Sequence, residues 1–135
     1  MDLHRDLEVY VVEDSPAIRD LIIESMRATG YGSVIGYADS EEEAVDDILN
    51  LHPDAVVLDI QLKSGSGFNV LRRLKTLPKD LRPVVIVVSE YANEYLRRLA
   101  ARDGAGYYLD KAFEFHNLWG VLDSLSERKA HSLQL

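Results

Sequence analysis

The stretch Asp54-Ala-Val-Val-Leu-Asp59 decides the fold of this chain. Four apolar residues in a row are typical of a strand that is buried on both faces of a parallel sheet. Asp59 stands where the apolar run stops, and a loop rich in serine and glycine follows it. Because open α/β sheets bind their ligands at the carboxyl ends of the strands, this position favours a functional carboxylate. Taken alone, Asp59 could equally cap a loop, and the rest of the chain decides between the two interpretations.

Length, composition and charge restrict the class of protein. The chain has 135 residues, of which 47% are hydrophobic and 28% charged, and this is typical of one globular domain. A net charge of −8 argues against a nucleic-acid partner, because phosphate backbones require a basic surface. The absence of cysteine excludes disulfides, thiolate metal sites and thiol catalysis. No apolar run approaches the ~20 residues of a membrane span, so we expect no membrane association and a cytoplasmic location.

Segments with strand character alternate with segments of helical periodicity, five of each. Strands are predicted at residues 7–12, 33–38, 55–58, 83–88 and 106–109. Helices are predicted at about residues 16–29, 41–51, 68–77, 92–102 and 114–128. Ser15 precedes a helix-starting proline, and Ser40 begins a capping box with a glutamate three residues later. The alternation predicts an α/β domain over residues 1–129, with helices on both faces of a parallel sheet, and a tail over residues 130–135.

Polar residues follow four of the predicted strands. Glu13 and Asp14 follow the first strand, Asp59 the third, Ser89 the fourth and Lys111 the fifth. Right-handed crossovers bring the carboxyl ends of all strands to one edge of the sheet. Carboxylates ~4 Å apart repel by several kcal/mol at an effective dielectric near 20, so such a cluster requires a cation, and Mg²⁺ suits oxygen ligands. An aspartate in such a site can form an aspartyl phosphate, whereas the alternative is an ion-pair cluster without chemistry.

These residues resemble a known family, the receiver domain of two-component response regulators, in its single-domain, chemotaxis-regulator-like form. The matching residues are Glu13-Asp14, the strand end Val56-Val57-Leu58-Asp59 with Gly67 behind it, Ser89, Gly104-Ala105, Tyr108 and Lys111. The resemblance covers essentially the whole chain, and the ordered combination is specific. It implies a flavodoxin-like (βα)5 fold, which is a doubly wound five-stranded parallel sheet in the order 2-1-3-4-5.

The resemblance also implies the chemistry of the site. Asp59 would accept a phosphoryl group from a phosphohistidine on a sensor histidine kinase or a histidine phosphotransfer protein. Glu13, Asp14, Asp59 and the backbone carbonyl of Gln61 would hold Mg²⁺, or Mn²⁺ in its place. Lys111 would contact the phosphoryl oxygens. The chain would therefore catalyse at most its own phosphorylation and dephosphorylation.

A conformational switch is implied as well. Ser89 would swing inward to bond a phosphoryl oxygen, and Tyr108 would follow into the vacated space. This change would alter the face built from the fourth helix, the fifth strand and the fifth helix, which is the usual logic of a phosphorylation switch. Gln61 and Tyr91 occupy positions that flank the phosphoryl group in this family, so we expect them to tune the lifetime of the phosphate.

The chain departs from the family pattern at three places. Ala112 replaces a proline that usually follows Lys111 with a cis bond, and because a non-proline cis bond costs ~2.5–4 kcal/mol, we predict a trans bond and an altered loop. Lys63 also stands where proline is common, and the serine-glycine loop at 64–67 is expected to be mobile. Glu13 replaces a frequent aspartate, which is a tolerated variant.

The leading hypothesis is a stand-alone receiver that signals to an unknown protein target, with a homodimer through the switch face as a further candidate. The alternatives are a receiver cut from a larger regulator and a pseudo-receiver that binds partners without phosphorylation. A phosphatase with an aspartyl nucleophile commonly has a second aspartate two residues on, where this chain has Gln61. A flavin-binding protein would need a phosphate loop after the first strand, where Glu13-Asp14 would repel phosphate.

Overall fold

The structure is a computed structural model that describes residues 6–133, and these contain five strands, five α-helices and a short 3-10 helix at Lys79–Leu81. The strands are β1 (Leu7–Val12), β2 (Gly32–Ala38), β3 (Ala55–Leu58), β4 (Val84–Ser89) and β5 (Tyr107–Asp110). The helices are α1 (Pro16–Thr29), α2 (Glu41–Leu51), α3 (Gly67–Leu74), α4 (Glu94–Arg102) and α5 (Asn117–Leu133). All strand pairs are parallel and the order is β2-β1-β3-β4-β5, which confirms the predicted fold.

The central strands are buried because helices cover both faces of the sheet. All four residues of β3 are buried, as its unbroken apolar run predicted. One core cluster joins the sheet to α2, α3 and α4, and the other joins it to α1 and α5. Since every strand is parallel, all five carboxyl ends lie at the same edge. Among residues 6–133, no helix combines the length and apolar character needed to cross a membrane.

The start of α2 differs from the predicted capping box. Ser40 is the N-cap residue, but its side chain makes no capping hydrogen bond. The backbone N–H of Glu41 instead donates to the carbonyl of Ser64, 2.9 Å away in the loop between β3 and α3. A distant loop therefore satisfies the donor of the first helical residue, while the side-chain bond that the capping box predicted for Ser40 is not formed.

The last two helices begin later than predicted, and the last one is longer. Asn93 caps α4, accepting a hydrogen bond from the N–H of Leu96 at 2.8 Å, so the helix begins at Glu94 rather than near residue 92. The helix α5 continues to Leu133, and so residues 130–133 are helical rather than part of a tail. Residues 134 and 135, the rest of the predicted tail, lie outside the described residues.

Candidate functional site

The structure brings the three predicted acids together at the carboxyl edge of the sheet. Glu13 follows β1, and its N–H donates to the carbonyl of Ala38 at 3.0 Å. Asp59 follows β3, and its N–H donates to the carbonyl of Val12 at 2.9 Å. One carboxylate oxygen from each of Glu13, Asp14 and Asp59 lies within 4.8 Å of the other two. Glu13 and Asp59 are buried, whereas Asp14 is exposed, so the cluster opens to solvent on one side.

Lys111 supplies a positive charge to this cluster. Its Nζ lies 2.9 Å from Oε1 of Glu13 and 3.0 Å from Oδ2 of Asp59. The side chain of Lys111 is 12% exposed, and its two partners are more deeply buried. The Lys111 N–H donates to the carbonyl of Ser89 at 2.8 Å, which fixes the lysine backbone against the end of β4. A single lysine thus joins the ends of β1, β3 and β5.

The turn after Lys111 is built differently from a proline-containing loop. The bond between Lys111 and Ala112 is trans, as predicted, and residues 6–133 contain no cis peptide bond. Oδ1 of Asp110 accepts hydrogen bonds from the N–H groups of Ala112 (2.9 Å) and Phe113 (3.3 Å). Proline at position 112 would lack the first of these donors. The turn therefore has its own cap, and the lysine still reaches both carboxylates.

Burial and charge shift the protonation of the cluster. Burial raises the pKa of Glu13 to about 7, and the negative charge of Asp59 adds to this effect, although hydrogen bonds from Lys111 and from the N–H of Ser15 oppose it. Burial by itself lowers the pKa of Lys111, but the two carboxylates outweigh it and raise that pKa. Lys111 is therefore charged at neutral pH, while the acids beside it carry more negative charge than one lysine neutralises.

The donor set and the space beside it suit a hard divalent cation. Carboxylate oxygens are the ligands that Mg²⁺ takes in proteins, usually together with waters and a phosphate. A cavity of about 250 Å³ opens beside the cluster. Since liquid water occupies about 30 Å³ per molecule, this cavity has room for a hydrated ion and a phosphoryl group. Its lining residues are Asp14, Ser15, Ile18, Asp59, Gln61, Glu90, Tyr91 and Lys111.

The loop after Asp59 folds back against the cluster. The N–H of Gln61 donates to Oδ1 of Asp59 at 3.1 Å, which orients the carboxylate. Gln61 forms an antiparallel bridge with Ser66, and the N–H of Gly67 donates to the carbonyl of Ile60 at 2.8 Å. A Cβ on Gly67 would lie 2.3 Å from the carbonyl oxygen of Asp59, so a side chain at this position would force the loop away.

The predicted switch residues contact the same loop at the end of β4. Oγ of the fully buried Ser89 accepts a hydrogen bond from the N–H of Tyr91 at 3.0 Å. The hydroxyl of Tyr108 donates to the carbonyl of Tyr91, and burial raises the pKa of this hydroxyl. Ser89 and Tyr108 are therefore connected through the backbone of Tyr91, whose side chain is exposed at the mouth of the cavity.

Two residues beside the site had no signal in the sequence. Arg97 donates to the carbonyl of Tyr108 at 2.8 Å and to Oε1 of Glu114 at 2.7 Å, and its Cζ lies 5.3 Å from the centre of the Tyr108 ring. Glu41 accepts a hydrogen bond from the N–H of Ser66, in the loop after Asp59 and 25 residues away along the chain. The contacts of Arg97 and Glu41 join residues of different elements, so no local sequence motif predicts them.

Comparison with known proteins agrees with this geometry. The family described as the response regulator receiver domain matches residues 9–123. Response regulator MprA of Mycobacterium sp. (strain KMS) is 33% identical over 122 residues, which cover 90% of this chain and 51% of the relative. The chain thus spans about half the length of these curated relatives.

Solved structures share the fold over nearly the whole chain. The response regulator domain of Thermotoga maritima CheB superposes with a TM-score of 0.74 and 25% identity, covering 97% of this chain and 98% of that one. The receiver domain of the sensor histidine kinase PA1611 from Pseudomonas aeruginosa PAO1 gives a TM-score of 0.74 at 23% identity, covering 90% and 98%. That receiver has a magnesium ion coordinated in its active-site cleft.

Proposed function

The chain belongs to the family of response regulator receiver domains, and we propose that Asp59 is the residue on which it accepts a phosphoryl group. Receiver domains are phosphoacceptor switches of two-component systems, they bind Mg²⁺ in an acidic pocket, and they interact with histidine kinases or phosphotransfer proteins. One observation carries the assignment to Asp59. Its buried carboxylate is held by Lys111 and by the N–H of Gln61, and it lines a cavity open to solvent.

The residues of the chain account for the transfer step. A carboxylate oxygen of Asp59 forms a bond to phosphorus, the bond from phosphorus to the donor nitrogen breaks, and the electron pair leaves with the donor. Lys111, whose Nζ is 3.0 Å from Asp59, then bonds the phosphoryl oxygens. The Gln61 N–H keeps the carboxylate oriented throughout. Phosphoryl transfer depends mainly on such positioning and on neutralising charge.

Glu13, Asp14, Asp59 and the backbone carbonyl of Gln61 would hold Mg²⁺, or Mn²⁺ in its place. Three carboxylate oxygens within 4.8 Å of each other and an excess of negative charge support this set of ligands. When bound, the cation neutralises negative charge on the phosphoryl oxygens. The magnesium ion in the PA1611 receiver domain is consistent with the same arrangement here.

The switch and the lifetime of the phosphate follow from the same loops. Ser89 would leave the N–H of Tyr91 to bond a phosphoryl oxygen, and Tyr108 would leave the Tyr91 carbonyl. Gln61 and Tyr91 line the cavity and would control how water reaches the phosphate. If changing both residues leaves the dephosphorylation rate untouched, the role in lifetime is wrong.

The output of the switch would be a protein contact in the cytoplasm. The face of α4, β5 and α5 changes when Tyr108 moves, and it is the candidate surface for a downstream protein or for a homodimer. The relatives' greater length supports an alternative in which this receiver acts within a longer regulator. A pseudo-receiver that binds without phosphorylation is less well supported, because the acids and Lys111 are all present.

The test is phosphorylation by acetyl phosphate with Mg²⁺, followed by intact-mass measurement. We expect one phosphoryl group on the native protein and on the Asp46→Asn control, which changes an exposed carboxylate of α2. We expect none on Asp59→Asn protein or in the presence of EDTA. An adduct that persists on Asp59→Asn protein would contradict the assignment.

A further inference from the structure

We propose that Glu41 is a positioning residue that holds the loop at residues 60–66 in the shape that presents the Gln61 carbonyl to the metal ion. This inference rests on the proposed metal site. Glu41 lies at the start of α2, and it is not one of the residues that line the cavity. Its effect would therefore pass through the loop rather than through contact with the ion.

Glu41 binds the loop with both its side chain and its backbone. Oε1 accepts hydrogen bonds from the N–H of Ser66 at 3.1 Å and from Nδ2 of Asn69 at 3.2 Å. The backbone N–H of Glu41 donates to the carbonyl of Ser64 at 2.9 Å. Two residues of the loop and one residue of α3 are thus held by a single residue of α2.

The tether continues from Ser66 to the site. Ser66 and Gln61 form an antiparallel bridge, and the N–H of Gly67 closes the loop by donating to the carbonyl of Ile60. Gln61 in turn donates its N–H to Asp59. Moving Ser66 would therefore move the peptide groups on both sides of Gln61, including its carbonyl.

The loop has a composition that needs such a tether. Its serine-glycine sequence is typical of a flexible segment, and ordering such a segment on binding costs conformational entropy. Gly65 has φ +82°, and a Cβ on it would lie 2.4 Å from the Cβ of Glu41. The N–H of Lys63 also donates to the carbonyl of Asp39 at 3.0 Å. The loop is therefore packed against the start of α2 by contacts within the chain itself.

The neighbouring Glu42 provides a matched control. Arg73 Nη1 lies 3.3 Å from Oε2 of Glu41 and 2.8 Å from Oε1 of Glu42, so both acids pair with the same cation. The Glu41 side chain is 15% exposed and the Glu42 side chain is 76% exposed. The hydrogen bond from the N–H of Ser66 is the largest of the effects that lower the pKa of Glu41, which shows that the loop stabilises its charged form. Within residues 6–133, no hydrogen bond or ion pair joins the Glu42 side chain to the loop.

The experiment measures Mg²⁺ affinity by NMR titration of the full chain, which does not require phosphorylation. We expect Glu41→Ala to weaken Mg²⁺ binding roughly 10-fold. This is the smaller of the losses in affinity that are typical when a residue orients metal ligands without touching the ion. Glu41→Gln keeps an oxygen that accepts the Ser66 N–H, so its affinity should stay within about threefold of native. Glu42→Ala should bind Mg²⁺ like the native protein.

Two further readouts separate positioning from loss of folding. Amide hydrogen exchange of residues 62–66 without metal should accelerate in Glu41→Ala but not in Glu42→Ala. In acetyl phosphate reactions, Glu41→Ala should need roughly 10-fold more Mg²⁺ for half-maximal rate but reach a similar rate at saturation. Should Glu41→Ala fail to fold, Glu41→Asp keeps the charge with a shorter reach and should also weaken Mg²⁺ binding.

The outcomes also separate this inference from the proposed function. Native Mg²⁺ affinity and native loop exchange in Glu41→Ala would overturn the inference, as would equal weakening in Glu42→Ala. Absence of Mg²⁺ binding by the native protein would overturn it too. A native protein that binds Mg²⁺ but takes no phosphoryl group would contradict only the proposed function.

Discussion

At pH 8, the change Asp59→Asn should stabilise the metal-free protein but leave it less stable than the native protein when Mg²⁺ is present. In the absence of metal, Asp59 is a buried carboxylate between two other acids, with one lysine to offset them. Asparagine has nearly the same shape and removes one of the crowded charges. With Mg²⁺ present, the same change removes a proposed ligand, so the sign of the effect should reverse.

The distances set the magnitude. Asp59 lies 3.0 Å from the ammonium of Lys111, and its ligand oxygen lies within 4.8 Å of an oxygen of Glu13 and of Asp14. At an effective dielectric of about 20, the attraction is about 5.5 kcal/mol and each repulsion is at least about 3.5 kcal/mol. The net repulsion at this dielectric is thus at least about 1.4 kcal/mol, so we expect Asp59→Asn to raise the free energy of unfolding at pH 8 by about 1–2 kcal/mol.

The assay is urea unfolding at pH 8 in EDTA and again in excess Mg²⁺. At pH 8, Glu13 is charged because its pKa is about 7. At pH 6, Glu13 is mostly protonated and one repulsion is gone. The attraction of Lys111 then exceeds the remaining repulsion from Asp14 by up to about 2 kcal/mol, so the advantage of Asp59→Asn should disappear or reverse. Mg²⁺ at 100 times its dissociation constant should stabilise the native protein by about 2.7 kcal/mol and the variant by less.

The control is Asp46→Asn, which removes an exposed carboxylate and should change stability by no more than about 0.5 kcal/mol in either buffer. If Asp59→Asn is less stable than native in EDTA at pH 8, then the pair with Lys111 outweighs the crowding and the reasoning is wrong. If Mg²⁺ raises the free energy of unfolding of the native and Asp59→Asn proteins equally, Asp59 is not a ligand of the ion.

Three other changes test the surrounding structure. Gly67→Ala should lower the free energy of unfolding by about 1–3 kcal/mol, measured in urea, because a Cβ there would lie 2.3 Å from a backbone oxygen. Tyr10→Phe should cost about 1–2 kcal/mol in the same assay, since Oδ2 of Asp47 loses a donor at 2.6 Å, and an unchanged midpoint would contradict this. The hydrogen bond from Arg97, and to a smaller extent that from the N–H of Asp110, lowers the pKa of Glu114 below its usual 4.5. The charged form of Glu114 therefore stabilises the protein above pH 4.5, and this stabilisation is lost as the pH falls through the lowered pKa. The difference in melting temperature between native and Glu114→Gln proteins should therefore shrink on acidification from pH 7 to pH 3.

Local sequence predicted the elements well because their signals are short in range. The unbroken apolar run at 55–58 requires burial on both faces, and a parallel central strand is the element that provides it. Asp59 and Lys111 could be placed at one edge because parallel strands all end on the same side. Gly30 likewise ends α1 with φ +70°, as a glycine at that position predicted.

The loops were harder to predict because distant residues stabilise them. The serine-glycine loop at 64–67 was expected to be mobile, yet Glu41 holds it through hydrogen bonds from another element. Ser40 was expected to cap α2 with its side chain, yet that bond is absent and the carbonyl of Ser64 accepts from the neighbouring N–H of Glu41 instead. The end of α5 was set too early, because Lys129 lies 2.8 Å from Oδ2 of Asp54 and Ala130 is buried, and neither feature is visible in the local sequence.

The amino-acid sequence by itself determined how strands and helices alternate along the chain, since hydrophobic periodicity is a local property. It also determined the edge of the sheet at which the acids and the lysine lie, since right-handed crossovers bring all parallel strand ends to one side. Only the tertiary structure decided the distances, namely that one ammonium reaches two carboxylates and that α2 holds the loop beside them. Those distances come from packing between segments far apart in sequence, where the balance of charge and burial is set by neighbours that no local pattern identifies.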